Sequence, residues 1–259
     1  MSKTELLMTL ADDTYDSYGS FEELEPFNDA IQRWDREAAH KLPEYMKVFV
    51  LKMFDTFSEY EEELREEGNA YRVDYQRRAM KALCQSYYDE FLWSHYGYIP
   101  KLDEHLKVSA VSVGYPIIHC LFMVGMGDIV TKEALDWVIH VPKINGVAGI
   151  LCRLLDDMKP DKVEKEYIPT TIQCYAMEHG ITEEEAKQQV RETLIEHQWK
   201  RLNEELLKPD PGIPMALHML LFNQACVMAQ IYNETDDGYN NPEDIKKYAL
   251  MMYVDPVPI

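Results

Sequence analysis

Two clusters of carboxylates stand out in this chain: Asp12-Asp13-Thr14-Tyr15-Asp16, and Asp156-Asp157 followed by Asp161 and Glu164. Each lies in helix-like sequence with apolar neighbours. In a helix, Asp12 and Asp16 are four residues apart and share a face, with Asp13 beside them. Asp156 and Glu164 are eight apart, roughly two turns or ~12 Å along one stripe. Two carboxylate stripes facing each other across a helical cavity form a hard-oxygen site for divalent ions. Magnesium held by one or two carboxylates on each side keeps positions open for water and substrate phosphates. That chemistry is the chemistry of diphosphates. The competing reading is a solvated acidic helix end, because Asp and Glu make up 46 of the 259 residues and such triples also arise by chance.

The elements that must position these groups are helical. Periodicity of the helical kind dominates, and strand-like alternation is nearly absent. A first helix runs from about Lys3 through the acidic cluster to Tyr18-Gly19. Ser20 with Glu23 forms a capping box that opens a helix through Trp34. Pro43 suits an early helical position, and Glu44 to Glu67 is amphipathic up to Gly68. Tyr71 to Tyr96 forms a second long helix carrying Tyr75, Tyr87, Tyr88, Phe91 and Trp93. Aromatics at that spacing are core residues first, although a pocket lined with them stabilises a cation.

Pro100 breaks the chain, and the helix that starts near Leu102 is expected to kink at Val113-Gly114-Tyr115-Pro116. Such a break frees carbonyls toward a cavity, with an ordinary packing kink as the alternative. Further helices are expected over Thr131 to His140, Asn145 to Asp157, Thr182 to about Leu207, Met215 to Tyr232, and from Pro242 to just before Pro256. The expected organisation is one all-α domain over residues 1–259, without repeat or low-complexity linker.

Composition narrows the function further. Lys and Arg number 26 against 46 acidic residues, a net charge of −20. No basic stripe offers a nucleic-acid groove or a match to an anionic membrane. An acidic protein that binds a diphosphate needs metal ions to invert the local sign. The longest apolar run, about Ile117 to Met126, is interrupted by His119 and is short for a bilayer span. No leader peptide is visible, since Met1 to Leu10 already reads as helix. Cys84, Cys120, Cys152, Cys174 and Cys226 are odd in number, form no CxxC, and read as reduced core residues of a cytoplasmic protein. Gly125-Met126-Gly127 is half of a dinucleotide fingerprint but follows no strand. There is no phosphate-binding loop or nucleophile elbow.

The chain resembles the plant terpene synthases, specifically the catalytic α domain of a sesquiterpene cyclase. The resemblance is carried by Asp12 to Gly19, Glu22-Glu23-Leu24, Ala30 to Asp35, Leu42 to Lys47, Val124 to Asp128, Cys152 to Asp157, Glu204 to Pro209 and Asp237-Gly238-Tyr239. Several stretches are most similar to cadinene-type synthases. It implies a class I terpenoid synthase bundle around a central cavity and a Mg²⁺-dependent lyase that ionises farnesyl diphosphate. Three Mg²⁺ ions are implied, with Mn²⁺ as a substitute. Asp12 and Asp16 would hold two of them with Asp13 in support, and Asp156 and Glu164 the third. Arg153 would bind the diphosphate, and carbonyls at Val113-Gly114 would face the cation. Tyr232, Asp237 and Tyr239 match positions bordering and closing the pocket.

Three departures from the family pattern bear on activity. Pro160 occupies the place of a Ser or Thr ligand in the second motif and cannot ligate metal. Asp157 and Asp161, four apart, are the expected replacement, since cadinene-type enzymes carry an acidic variant there. The segment from Glu164 to Gly180 is two residues short and lacks the usual arginine, leaving Lys165 as the nearby cation. The sequence starts just before the first motif, so the family's amino-terminal domain and the first helices of the α domain are expected to be missing from it. The expectation is therefore a monomeric cyclase core, unless a partner chain supplies the missing wall. The alternative is an impaired relative that binds diphosphate or serves as a helical interaction domain. A chain-elongating prenyltransferase ranks below both, because Arg153 alone offers a basic diphosphate contact.

Overall fold

The computed structural model describes residues 2–140, 143–158, 168–232 and 243–254, and those residues contain helices and no strand. Helix α1 (Ser2–Asp13) widens into a π turn at Thr14–Tyr18. Helices α2 (Phe21–Arg33), α3 (Arg36–Ala39), α4 (Glu44–Arg65) and α5 (Arg72–Tyr96) follow. The expected capping box is present: the Ser20 N–H donates to Glu23 Oε2 at 3.1 Å, and the Ser20 side chain takes the N3 backbone. Gly68 and Gly97, both at positive φ, follow the ends of α4 and α5.

Helix α5 is the central element, packing on α2, α6 (Leu102–Ser112) and α7 (Tyr115–Val124). Val73, Gln76, Met80, Leu83, Tyr87 and Glu90 lie three or four residues apart and form its buried stripe. The aromatics on this helix divide. Tyr75 and Tyr87 are buried, Tyr88 stacks on Phe91, and Trp93 stacks on His105 of α6.

The expected break separates α6 from α7. Gly114 sits in the left-handed region at φ 81, where a Cβ would be strained. Pro116 has no N–H, so the carbonyl of Ser112 loses the donor four residues on. Taken through the break, Leu102–Val124 is long and apolar enough to cross a bilayer, which corrects the expectation drawn from the shorter run. More than half of it is buried in the protein, with His105 and His119 in the interior, as in a core helix.

The second half comprises α8 (Lys132–Ile139), α9 (Lys143–Asp157), α10 (Thr171–His179) and α11 (Glu183–Gln189). A second π turn (Val190–Ile195) joins α11 to α12 (Glu196–Leu207), and α13 (Met215–Ile231) and α14 (Glu243–Tyr253) complete the series. Helix α10 is absent from the sequence reading, although its capping box, Thr170 with Gln173, and its Gly180 stop are both legible signals. It packs with α9 and α11 in a small cluster of Leu154, Ile172, Tyr175, Ala176, Ala186 and Val190. Four cysteines are buried as expected, but Cys226 is exposed on α13.

Gly149 lets α9 lie against α6. A Cβ there would stand 2.6 Å from the carbonyl oxygen of Ala110. Gly149→Ala gains about 1 kcal/mol of helix propensity. Overlap with a backbone oxygen cannot be relieved by a rotamer, and overpacking of this kind costs about 1–3 kcal/mol. A net loss of about 2 kcal/mol at most is expected, read as a lower urea midpoint at unchanged m-value.

Candidate active site

The first acidic cluster is set by what its neighbour Tyr15 does. Tyr15 is buried, donates its hydroxyl to Asn28 Oδ1 at 2.9 Å, and packs edge-on against Phe27 at 5.2 Å. Holding Tyr15 inward leaves Asp12, Asp13 and Asp16 half-buried. Asp12 and Asp16 both bear on the Tyr87 hydroxyl of α5, whose pKa stands well above its ordinary value through burial first, then Asp12, Cys84, Glu90 and Asp16. The helix here is not a regular α-helix. Gly19 N–H bonds to Thr14 O at 2.8 Å, the i→i+5 pattern of a π turn. Single π turns of this type concentrate at functional sites.

The second cluster ends α9. Arg153 Nη1 lies 3.2 Å from Asp156 Oδ2 and 3.3 Å from Asp157 Oδ1. Burial pulls the Arg153 pKa down, but Asp157, then Asp156 and Glu90, outweigh it and hold the guanidinium charged. Its Nε is buried without a hydrogen-bond partner among the described residues. Asp157 is more enclosed than Asp156, and its Oδ2 accepts the backbone N–H of Thr171 at 2.7 Å.

Glu90 joins the two clusters. It accepts the Ser112 hydroxyl at 2.7 Å, beside the break between α6 and α7. Burial pushes its carboxyl up to about 7. Arg153 and the Ser112 bond oppose the shift, and Asp16 and Asp157 add to it. One buried carboxyl thus feels both acidic helix ends and the single arginine. Glu90 and Ser112 are not among the site residues expected from sequence, yet Glu90 carries a signal. It is the acid on the otherwise largely apolar stripe of α5.

A folded pKa above the unfolded value means that the native state binds the extra proton. Glu90 therefore costs stability progressively as pH rises from about 4.5 to about 7, and in full above that. Glu90→Gln is expected to stabilise the metal-free protein at pH 8 by up to about 3 kcal/mol. The gain should vanish near pH 4.5. Urea melts of both proteins across this range check it, and equal stability at pH 8 would refute the account.

The break residues Val113 and Gly114 lie next to Ser112, with Met8 of α1 packed over Gly114. Tyr232 caps α13 and is near enough to bear on the buried Tyr115 hydroxyl. Pro160, Asp161, Glu164, Lys165, Asp237 and Tyr239 lie outside the described residues. Among the described residues no three His, Cys, Asp or Glu side chains lie close enough together to hold a metal ion by themselves. The donors that do converge are carboxylates, and they outnumber the one arginine paired with them, Arg153. Such a set is deficient in positive charge and suits hard cations that keep water and phosphate ligands.

A family model for the terpene synthase family, metal binding domain, matches residues 1–201. The chain belongs to the terpene synthase family. Sesquiterpene synthase 2 of Toona sinensis is 38% identical over 100% of this chain and 47% of its own length. The (-)-germacrene D synthase of Vitis vinifera is 38% identical over 100% of this chain and 46% of its own. The chain thus spans about half the length of the terpene synthases it matches. Among solved structures, limonene synthase with 2-fluorolinalyl diphosphate superposes with a TM-score of 0.88 at 27% identity, covering 99% of this chain and 47% of that one. Isoprene synthase from grey poplar, Populus x canescens, in complex with three Mg²⁺ ions and dimethylallyl-S-thiolodiphosphate, gives 0.85 at 26%, covering 99% and 49%. The all-α class I terpenoid synthase fold expected from sequence is the fold observed.

Proposed function

We propose that this chain is the catalytic part of a magnesium-dependent terpene cyclase that ionises farnesyl diphosphate and closes the resulting carbocation to a sesquiterpene. The observation that carries the proposal is that both acidic clusters bear on Glu90, the first through Asp16 and the second through Asp157, with Arg153 paired to the second. Relatives named as sesquiterpene synthases, and an isoprene synthase holding Mg²⁺ and a diphosphate analogue, support the same reading.

In this reading Asp12 and Asp16 hold metal on one wall with Asp13 behind them, and Asp156 and Glu164 hold it on the other. Three ions are expected, with Mn²⁺ as a substitute. Bound there, the metal supplies Lewis-acid neutralisation of the leaving diphosphate. Arg153 donates N–H groups to diphosphate oxygens, a role for which its charged state and unpartnered Nε suit it. Lys165 adds a second cation. The carbonyls of Ser112, which loses its donor to Pro116, and of Val113 turn their negative ends toward the carbocation, whereas Gly114 O already accepts the Ile118 N–H at 3.0 Å. Tyr232, with Asp237 and Tyr239, borders the pocket and excludes water. The protein is expected to work as a monomer in the cytoplasm.

Pro160 motivates a second reading, in which the site binds diphosphate without turning it over. Incubation with farnesyl diphosphate and Mg²⁺, followed by gas chromatography–mass spectrometry, separates the two. A cyclic hydrocarbon is the expected product. Unreacted substrate together with tight pyrophosphate binding would favour the second reading.

A further inference from the structure

We infer that Asp157 is a positioning residue that fixes Arg153 for the diphosphate, and that it does not serve as the metal ligand replacing the one lost to Pro160. The inference rests on the proposed diphosphate site and changes the job given to one of its carboxylates.

Both oxygens of Asp157 are already engaged. Oδ1 faces Arg153 Nη1 at 3.3 Å, and Oδ2 accepts the Thr171 N–H at 2.7 Å. The carboxylate therefore lies between a guanidinium and the amino-terminal end of α10, whose backbone dipole favours an anion. Its charge is compensated from two sides. A cation binding to Asp157 would have to displace one of these partners.

The receiving end is itself fixed. Thr170 and Gln173 close a capping box, with the Thr170 N–H donating to Gln173 Oε1 at 3.1 Å. One residue earlier, the Pro169 carbonyl lies 2.8 Å from His105 Nε2 on α6, and His105 is buried. Helices α6 and α9 thus both grip the entry to α10. Arg153 is anchored through Asp157 to a rigid point outside its own helix, and one guanidinium nitrogen sits between two successive carboxylates. An arginine anchored in this way presents its remaining N–H groups in one direction at little entropic cost.

Two variants separate the roles. Asp157→Asn keeps an oxygen for the Thr171 N–H but removes the charge from Arg153. Thr171→Pro removes the donor, together with the buried Thr171 hydroxyl, and puts a ring carbon in its place; the site is the first position of a helix, which proline tolerates, and follows Thr170 at φ −84 and ψ 161, which proline's neighbour adopts freely. Inorganic pyrophosphate binding is measured by calorimetry across a Mg²⁺ series for both, with Asp156→Asn as the metal-ligand comparison and thermal melts as the check on folding.

Asp156→Asn is expected to raise the Mg²⁺ concentration for half-maximal binding by about tenfold or more. Asp157→Asn and Thr171→Pro should leave it within about twofold, yet weaken pyrophosphate at saturating Mg²⁺ by about tenfold. A Mg²⁺ requirement in Asp157→Asn that rises as in Asp156→Asn would overturn the inference. So would a lower melting temperature with both affinities unchanged, the mark of a purely structural residue. If Asp157→Asn does not fold, Thr171→Pro decides alone. No pyrophosphate binding by the unaltered protein would remove the proposed function itself, an outcome distinct from a failure of the variants.

Discussion

Exchanging Asp12 and Asp16 together for asparagine is expected to lower diphosphate release from farnesyl diphosphate by about 10³-fold or more. Lewis-acid stabilisation of a leaving phosphate amounts to several kcal/mol, and each 1.4 kcal/mol is a factor of about ten in rate. The change keeps side-chain size and the packing of Tyr15, which is set by Asn28 and Phe27 rather than by the acids. It also removes two charges that crowd the Tyr87 hydroxyl and, through Asp16, Glu90. Thermal stability should therefore hold or rise slightly while activity collapses. Asp13→Asn, which removes a supporting residue, should cost about tenfold. Single-turnover diphosphate release at saturating substrate measures all three. A double variant within tenfold of the unaltered protein would refute the metal role of the first wall.

Arg153→Met should damage both stability and activity. Removing one partner of a buried ion pair strands the others, at about 3–5 kcal/mol. Here the groups that lose this cation are Asp156, Asp157 and Glu90. Of these, Glu90 titrates at about 7 with Arg153 present, and losing the cation moves it higher. It therefore protonates more readily in the variant, so the stability deficit should be smaller at pH 6 than at pH 8. Losing a positioned donor to a developing anion costs about 10²–10³ in turnover. Arg153→Lys should recover much of the stability but little of the rate, because an ammonium cannot serve Asp156, Asp157 and a diphosphate with one planar fork. Urea melts at both pH values and steady-state turnover give the two readouts. An Arg153→Met protein of normal stability at pH 8 would show that the surrounding acids are not compensated by it.

What the residues announced in one dimension was local chemistry. Ser20 with Glu23, and Thr182 with Glu185, begin helices because a side-chain oxygen can reach an N–H three residues on. The break at Val113-Gly114 follows from a position at positive φ and a proline without a donor, both legible within four residues. The two carboxylate clusters were visible for the same reason, since i and i+4 on a helix are neighbours wherever the helix lies. The widening at Thr14–Tyr18 was not visible, because a π turn is selected by how Tyr15 is drawn into the core.

The amino-acid sequence by itself determined the helices, most of their limits, the acidic clusters and, through resemblance, the family. Only the tertiary structure decided which charges meet. Glu90 feels both Asp16 and Arg153 because α5 packs against the π turn and against α6, on which α9 with Arg153 lies. Asp157 finds its partner in the backbone of Thr171, at the start of a helix the sequence reading passed over. A charge's role depends on its distance to other charges and on its removal from water. Both quantities are set by contacts between residues far apart in the chain, so no local pattern encodes them.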